Sequence, residues 1–127
     1  MEIEPVTEGE LSILELIWDG GAPTSRDIAA GLYEKVSDSK MASVQKLLER
    51  LESKGYVKRD RRDRAHRFEA RVSREDFLRH RLQGLADRHC DGAIVPLVTT
   101  LLRSKQGLTP QNGEQLRRLI DELWPSD

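Results

Sequence analysis

The side chains with the clearest chemical potential are the lysines and arginines between residues 58 and 71. This stretch of fourteen residues holds seven basic side chains against three acids. The basic residues are Lys58, Arg59, Arg61, Arg62, Arg64, Arg67 and Arg71. Such a dense group of cations attracts phosphate whatever the net charge of the whole chain. The segment therefore predicts a surface that binds a polyanion; the alternative is an exposed segment that merely tolerates its charges.

A second polar set precedes this cluster, on a helix predicted over residues 39–54. The apolar stripe of this helix comprises Met41, Val44, Leu47, Leu48 and Leu51. The opposite face carries Ser43, Gln45, Lys46 and Arg50. Glutamine can bond adenine through two atoms, lysine can reach guanine or phosphate, serine can reach either, and the arginine is best placed for phosphate. We predict that these four residues contact DNA; the alternative is the ordinary solvated face of an amphipathic helix.

Two shorter helices are predicted ahead of this one. Thr7 and Glu10 match the capping-box pattern, and the apolar spacing that follows predicts a helix over residues 7–19. Thr24 is placed to cap a second helix, because its hydroxyl can accept from an exposed amide of the first turn. We expect this second helix to end near Lys35.

Beyond the third helix the apolar period changes from helical to alternating. Gly55 is expected to end the helix in a left-handed conformation. Alternation on both sides of a turn at Arg62–Asp63 then predicts a two-stranded β-hairpin. Three helices followed by a basic hairpin indicate a winged helix-turn-helix, in which the third helix enters the major groove and the hairpin lies on the neighbouring backbone.

Three further amphipathic helices are predicted after this hairpin. We place a boundary at Val72–Ser73, which divides the chain into a DNA-binding domain, residues 1–72, and a helical domain, residues 73–127. Helices with single apolar stripes in so short a segment cannot enclose a dense core alone, so a second copy is expected to cover them. The predicted dimer-interface residues are Ile94, Leu97, Val98, Leu101, Leu102, Leu116, Leu119, Ile120, Leu123 and Trp124. The alternative is internal packing of these residues against Phe77, Leu78, Leu82 and Leu85.

The distribution of charge supports the same organisation. The chain of 127 residues has 21 basic and 22 acidic side chains, a net charge of -1 that by itself favours no polyanionic partner. Residues 1–37 hold 2 basic and 8 acidic side chains, residues 38–72 hold 11 and 6, and the rest hold 8 of each. Positive charge is therefore concentrated where the third helix and the hairpin are predicted.

The remaining candidate groups do not form a recognisable catalytic or metal site. His66, His80, His89 and Cys90 match no structural zinc spacing, so we predict no metal and no cofactor. Cys90 is expected to be a small apolar core residue, with a redox-sensing thiol as the alternative. Since the chain shows no glycine-rich phosphate loop and no nucleophile motif, we predict that it is not an enzyme.

The expected location is the cytoplasm. The first ten residues hold no basic segment followed by an apolar stretch, so no secretory signal is predicted. One cysteine cannot form an internal disulfide, which fits a reducing compartment. No apolar run approaches the roughly 18 residues that a membrane span requires.

Two segments carry a resemblance to a known family. LSILELIWDGGAPTSRDIAAGL and SVQKLLERLESKGYVKRDRRDRAHRFEARVSREDF resemble the penicillinase-repressor family of bacterial regulators, often called BlaI/MecI/CopY. The resemblance spans roughly residues 7–105. It implies an N-terminal winged helix, a C-terminal helical dimerisation region and repression of promoters by dimers on palindromic operators. It also implies a membrane sensor-peptidase pathway as a partner.

The sequence departs from this family at the positions linked to release from DNA. Members that are cleaved have an Asn-Phe bond in the fifth helix, where this chain has Thr100-Leu101. Copper-responsive members carry paired C-x-C motifs, whereas this chain has Cys90 alone. Ala42 stands where a basic residue is common early in the reading helix, and Lys46 stands where threonine is frequent. A different operator is therefore expected.

Together these patterns predict a mainly α fold with a small β-hairpin, a winged helix-turn-helix followed by a C-terminal three-helix dimerisation region. The predicted function is a transcriptional repressor that binds a palindromic operator in double-stranded DNA as a homodimer. The alternative is a winged-helix adaptor that docks an acidic protein partner through the basic hairpin.

Overall fold

The computed structural model describes residues 4–126 of the chain. Its elements are α1 (Glu8–Gly20), α2 (Ser25–Leu32), α3 (Asp38–Ser53), β1 (Val57–Asp60), β2 (Arg67–Ala70), α4 (Arg74–His89), α5 (Val95–Ser104) and α6 (Pro110–Leu123). This order confirms the predicted fold class, mainly helical with one antiparallel hairpin. Over the described residues, no helix is both long and apolar enough to cross a bilayer. The segment used to predict that a secretory signal is absent includes residues 1–3, which lie outside the described residues.

Three helices begin at a threonine that forms a capping box. The hydroxyls of Thr7, Thr24 and Thr109 accept from the backbone N–H three residues later, and the side chain there accepts from the threonine N–H in return. These reciprocal bonds satisfy amides that the first turn leaves without partners. The predicted starts of α1 and α2 are thereby confirmed. The second helix ends at Leu32, before the predicted Lys35, because Tyr33 is already extended.

The core of the first part of the chain lies between α1, α2, α3 and the hairpin. Its buried residues are Ile13, Leu14, Ile17, Ile28, Ala29, Val44, Leu48, Leu51, Tyr56, Val57, Phe68 and Phe77. The stripe predicted for α3 faces this core, with Val44, Leu48 and Leu51 fully buried. Burying one side of α3 leaves the other side to solvent, so the core sets which face is exposed.

The hairpin is attached to α3 at one end and to the turn between α1 and α2 at the other. Gly55 has a φ of 85°, the left-handed conformation predicted for the end of α3, and β1 follows directly. In the register of the two strands Val57 pairs with Ala70, and Asp60 with Arg67. The N–H of Phe68 donates to the carbonyl of Pro23 at 2.9 Å. The hairpin is therefore fixed against α3 and the turn before α2.

The first turns of α4 also belong to this unit. The Ser73 hydroxyl accepts from the N–H of Asp76 at 3.0 Å, as predicted for a cap. The buried ring of Phe77 lies 5.5 Å from that of Trp18, whose indole N–H donates to the carbonyl of Val72 at 2.8 Å. The first compact unit consequently ends at His80 and the second begins at Arg81, later than the boundary we placed at residues 72–73.

The second unit contains the rest of α4 with α5 and α6, and much of its apolar surface is exposed. Neither α5 nor α6 has a buried residue. Leu97 and Leu116 are half-buried, and the other predicted interface residues are exposed, Leu101 at 63% and Trp124 at 73%. Cys90 is half-buried, so the prediction that it lies in the core is wrong.

Candidate nucleic-acid interface

The outward face of α3 displays the four polar residues predicted to read DNA. Ser43, Gln45, Lys46 and Arg50 are all exposed. The Ser43 hydroxyl donates to the backbone carbonyl of Ser39 at 3.2 Å, which leaves its lone pairs toward solvent. Within the described residues, Lys46 and Arg50 make no ion pair. One face of α3 thus presents two cations and two neutral hydrogen-bonding side chains to solvent, where a ligand can contact them.

In strand β1, Arg59 is held over the aromatic ring of its cross-strand partner Phe68. Its guanidinium carbon lies 4.9 Å from the centre of the Phe68 ring, and its terminal nitrogen lies 3.6 Å from a Glu52 oxygen on α3. Only 21% of its side chain is exposed. The Nε of Arg59 is buried and has no hydrogen-bond partner in the described structure. This arginine therefore supports the hairpin, with one donor left unsatisfied.

Three other basic side chains of the hairpin lie beside acids. Arg61 is 3.6 Å from the second oxygen of Glu52, and Lys58 is 3.6 Å from Glu69 on the opposite strand. Arg62 lies 2.6 Å from Asp60. Hydrogen bonds from the side chain and backbone of Arg62 lower the pKa of Asp60 to about 2. The positive charge of the hairpin is therefore partly neutralised within the protein itself.

The remaining arginines of the cluster divide into two kinds. Arg67 donates to the backbone carbonyl of Ala22 at 2.9 Å and so ties β2 to the turn before α2. Arg64 and Arg71 are exposed and form no ion pair with another described side chain. Since a carbonyl does not cancel charge, Arg67 stays cationic, but its guanidinium is committed to a structural contact. Arg64, in the loop between the strands, and Arg71, just after β2, are therefore the basic side chains of the cluster that have no acidic partner among the described residues.

A polar groove of about 250 Å³ lies between α3 and the hairpin. Gln45 and Glu49 line it on the α3 side, and Arg64 and His66 line it on the hairpin side. Ser25, at the start of α2, completes it. Ser25 and His66 were not among the predicted DNA-contacting residues, because their closeness to α3 depends on how distant segments pack. The groove brings hydrogen-bonding groups from three elements to one place.

A buried ion pair fixes the end of α3 against α1. The Glu10 side chain is fully buried, and Lys54 donates to its two oxygens at 2.7 and 2.9 Å. Lys54 also donates to the carbonyl of Pro5 at 3.0 Å. Burial alone would raise the pKa of Glu10, but the bonds from Lys54 and Thr7 outweigh it and hold the pKa below its ordinary value. The orientation of α3 thus depends on a pair that sequence spacing does not suggest.

No group of three or more potential metal ligands comes together among residues 4–126. His66 lines the polar groove, whereas Cys90 and His89 belong to the second unit. The arrangement on the first unit is one of cations and amides on an exposed surface, which can bind a phosphate backbone and base edges.

A known family model matches nearly the whole chain. The family model described as penicillinase repressor matches residues 6–122. Among solved structures, the reduced form of MarR from E. coli aligns with 94% of this chain and 79% of that chain, at 18% identity and a TM-score of 0.47. No curated protein sequence matches the chain. Because the family model covers nearly the whole sequence, the chain belongs to the penicillinase-repressor family and is a DNA-binding regulator of transcription, not an enzyme.

Proposed function

We propose that this regulator is a cytoplasmic repressor that binds a palindromic operator as a homodimer. The observation that carries the proposal is the exposed face of α3. There Lys46 and Arg50, which form no ion pair with another described side chain, lie beside Gln45 and the groove that adjoins the hairpin. A helix with this composition fits the major groove, where amides read base edges and cations reach phosphates.

The side chains of α3 take different roles in this proposal. Gln45 bonds adenine through its amide, and Ser43 bonds a nearby base edge or phosphate. Lys46 reaches guanine or phosphate, and Arg50, nearer the end of the helix, reaches phosphate. The face is exposed because the opposite side of α3 fills the core. The base contacts set the preferred sequence, and the phosphate contacts set its position on the duplex.

The hairpin lies on the neighbouring backbone in the same arrangement. Arg64 makes a phosphate contact with no competing acid in the described structure, and Lys58, Arg61 and Arg62 add charge after exchanging their carboxylate partners. Arg59 and Arg67 hold the hairpin in place and add to the local positive potential.

A second copy is proposed to cover the apolar faces of α5 and α6. Most of their large apolar residues, including Leu101 and the adjoining Trp124, are more than two-fifths exposed in the single chain, and neither helix has a buried residue. Apolar patches of this kind on a soluble protein mark interaction surfaces. Two copies related by a two-fold axis also match the symmetry of a palindrome.

Release from DNA is proposed to involve a membrane sensor-peptidase pathway. Thr100 and Leu101, which stand at the family's cleaved bond, are exposed in the middle of α5. The Thr100 hydroxyl donates to the carbonyl of Pro96 at 2.8 Å. Since proteases cleave extended chain, α5 must open locally before this bond could be cut.

The experiment is selection of bound duplexes from a pool of random double-stranded DNA. The proposal predicts an inverted repeat whose half-site centres are about 10–10.5 bp apart, or a multiple of that distance. Sedimentation of the free protein should give a dimer, and Leu101→Asp should give a folded monomer with weaker operator binding. Recovery of no motif, together with no salt-dependent retention on DNA, would favour an adaptor that binds an acidic protein.

A further inference from the structure

One carboxylate of α3 holds two guanidiniums of the hairpin. Glu52 lies 3.6 Å from a terminal nitrogen of Arg59 through one oxygen, and 3.6 Å from Arg61 through the other. The Glu52 side chain is 32% exposed, and the Arg61 side chain is 63% exposed. Glu52 therefore lies within the basic surface, where it contacts one exposed guanidinium, that of Arg61, and one largely buried guanidinium, that of Arg59.

Neither arginine is bound to Glu52 in an optimal way. At 3.6 Å both contacts are longer than the charge-assisted hydrogen bonds of a paired guanidinium and carboxylate, which are about 2.7–2.9 Å. The buried Nε of Arg59 has no acceptor, and an unsatisfied buried donor raises the free energy of its arrangement. Arg61 is exposed enough to turn outward. Arg61 can therefore exchange Glu52 for a phosphate, and Arg59 can do so through its terminal nitrogen while its guanidinium stays over the Phe68 ring.

We propose that Glu52 competes with DNA phosphates for Arg59 and Arg61, and so sets how tightly the regulator holds any duplex. A carboxylate and a phosphodiester offer a guanidinium the same pair of oxygen acceptors, so binding exchanges one partner for the other. The interaction with Glu52 is lost in that exchange and subtracts from the affinity. The inference rests on the DNA contacts proposed for the hairpin.

This role differs from that of the residues that read bases. Phosphate contacts carry no sequence information, so Glu52 weakens binding to the operator and to unrelated DNA by the same factor. It also differs from a purely structural role. If Glu52 only fastened the hairpin to α3, neutralising it would loosen the hairpin and weaken binding, whereas removal of a competitor strengthens binding.

The test is Glu52→Gln, which keeps the shape of the side chain and removes its charge. An exposed ion pair changes an equilibrium by up to about fivefold, so release of two should raise affinity for a random-sequence duplex about three- to tenfold at low salt. Affinity for the selected operator should rise by the same factor as affinity for the random-sequence duplex. The thermal unfolding midpoint of the variant should show that it is folded.

Two controls separate competition from a general change in charge. Glu75→Gln removes the same charge from an exposed residue in the first turn of α4 that makes no ion pair with a described side chain. It should raise affinity by less than about twofold. In an Arg61→Gln background the increase from Glu52→Gln should shrink, because one of the two released cations is gone. If Glu52→Gln does not fold, Glu52→Asp retains the charge but shortens the reach, and should give a smaller increase.

The outcomes distinguish this inference from the proposed function. If Glu52→Gln binds no more tightly than Glu75→Gln while the wild-type protein binds DNA with a steep salt dependence, Glu52 is not a competitor and the proposed function stands. If the wild-type protein shows no salt-dependent binding to duplex DNA, the proposed function itself fails. An increase that persists unchanged in the Arg61→Gln background and exceeds the Glu75→Gln control assigns the competition to Arg59 alone and overturns the shared arrangement.

Discussion

Two arginines of the same hairpin should behave in opposite ways when each is replaced by alanine. Arg64 is exposed and makes no ion pair in the described structure, so its charge is available to phosphate. Arg67 donates to the carbonyl of Ala22 at 2.9 Å and ties β2 to the turn before α2. We expect Arg64→Ala to reduce the salt dependence of DNA binding at unchanged stability. Arg67→Ala should lower stability and leave the salt dependence nearly unchanged.

The magnitudes follow from these contacts. One lost phosphate contact lowers the slope of log K against log salt by about 0.9, which is a factor of about 3.5 in relative affinity between 50 and 200 mM salt. Loss of the Arg67 hydrogen bond from an exposed position costs about 1 kcal/mol. For a unit of this size that lowers the unfolding midpoint by roughly 4–8 °C.

Both quantities are measured on the same pair of variants. Fluorescence anisotropy with one labelled duplex at several salt concentrations gives the slope, and circular dichroism gives the unfolding midpoint. Because both changes remove one positive charge from the hairpin, each variant is the control for the other. A slope that falls equally in both, or in Arg67→Ala alone, would refute the assignment of a free cation to Arg64.

Two further predictions concern ionisable side chains of the first unit. Lys54→Ala leaves the buried Glu10 carboxylate without its cation and should lower the free energy of unfolding by about 3 kcal/mol, and an unchanged midpoint in urea would contradict the role of this pair. Asp60 has its pKa lowered from 3.8 to about 2, so its bond to Arg62 stabilises the folded state fully above about pH 4, and this stabilisation is lost progressively as the pH falls through about 2. Asp60→Asn should therefore have a lower thermal unfolding midpoint than the wild-type protein at pH 7, and the difference should shrink as the pH falls from about 4 to about 2. A difference that stays constant over that range would show that another interaction is responsible.

The helix starts were predictable because their causes are local. Thr7 and Thr24 lie three residues before the side chains that complete their capping boxes, so a short stretch of sequence contains the whole interaction. The end of α2 was less predictable. Apolar spacing continues to Tyr33, but that residue is extended, and its ring lies beneath the ammonium of Lys40 on α3.

The cluster of basic residues was visible in the sequence, but the separate roles of its members were not. Arg67 bonds a carbonyl 45 residues away, and Arg59 and Arg61 meet a carboxylate on the preceding helix. These partners come together only when the strands pair and the hairpin packs against the first unit. Residue types predict that the surface is positively charged, and tertiary contacts determine which of its basic side chains are available to phosphate.

For the C-terminal helices too, the sequence predicted the helices but not how their apolar faces pack. Their apolar stripes and the threonine cap of α6 follow from spacing, and both are present. Spacing alone left open whether these stripes pack internally. In the single chain Leu82 and Leu85 are exposed along with most of α5 and α6. Internal packing therefore does not cover these faces.

The two tryptophans of the protein lie in opposite environments, one in each unit. Trp18 is half-buried against Phe77, beneath the guanidinium of Arg74, and its indole N–H is bonded to a backbone carbonyl. Trp124, at the end of α6, is 73% exposed. The fluorescence of each tryptophan therefore reports on a different event. Emission from Trp18 reports loss of packing in the first unit, and emission from Trp124 should shift to shorter wavelength if the proposed dimer covers α6.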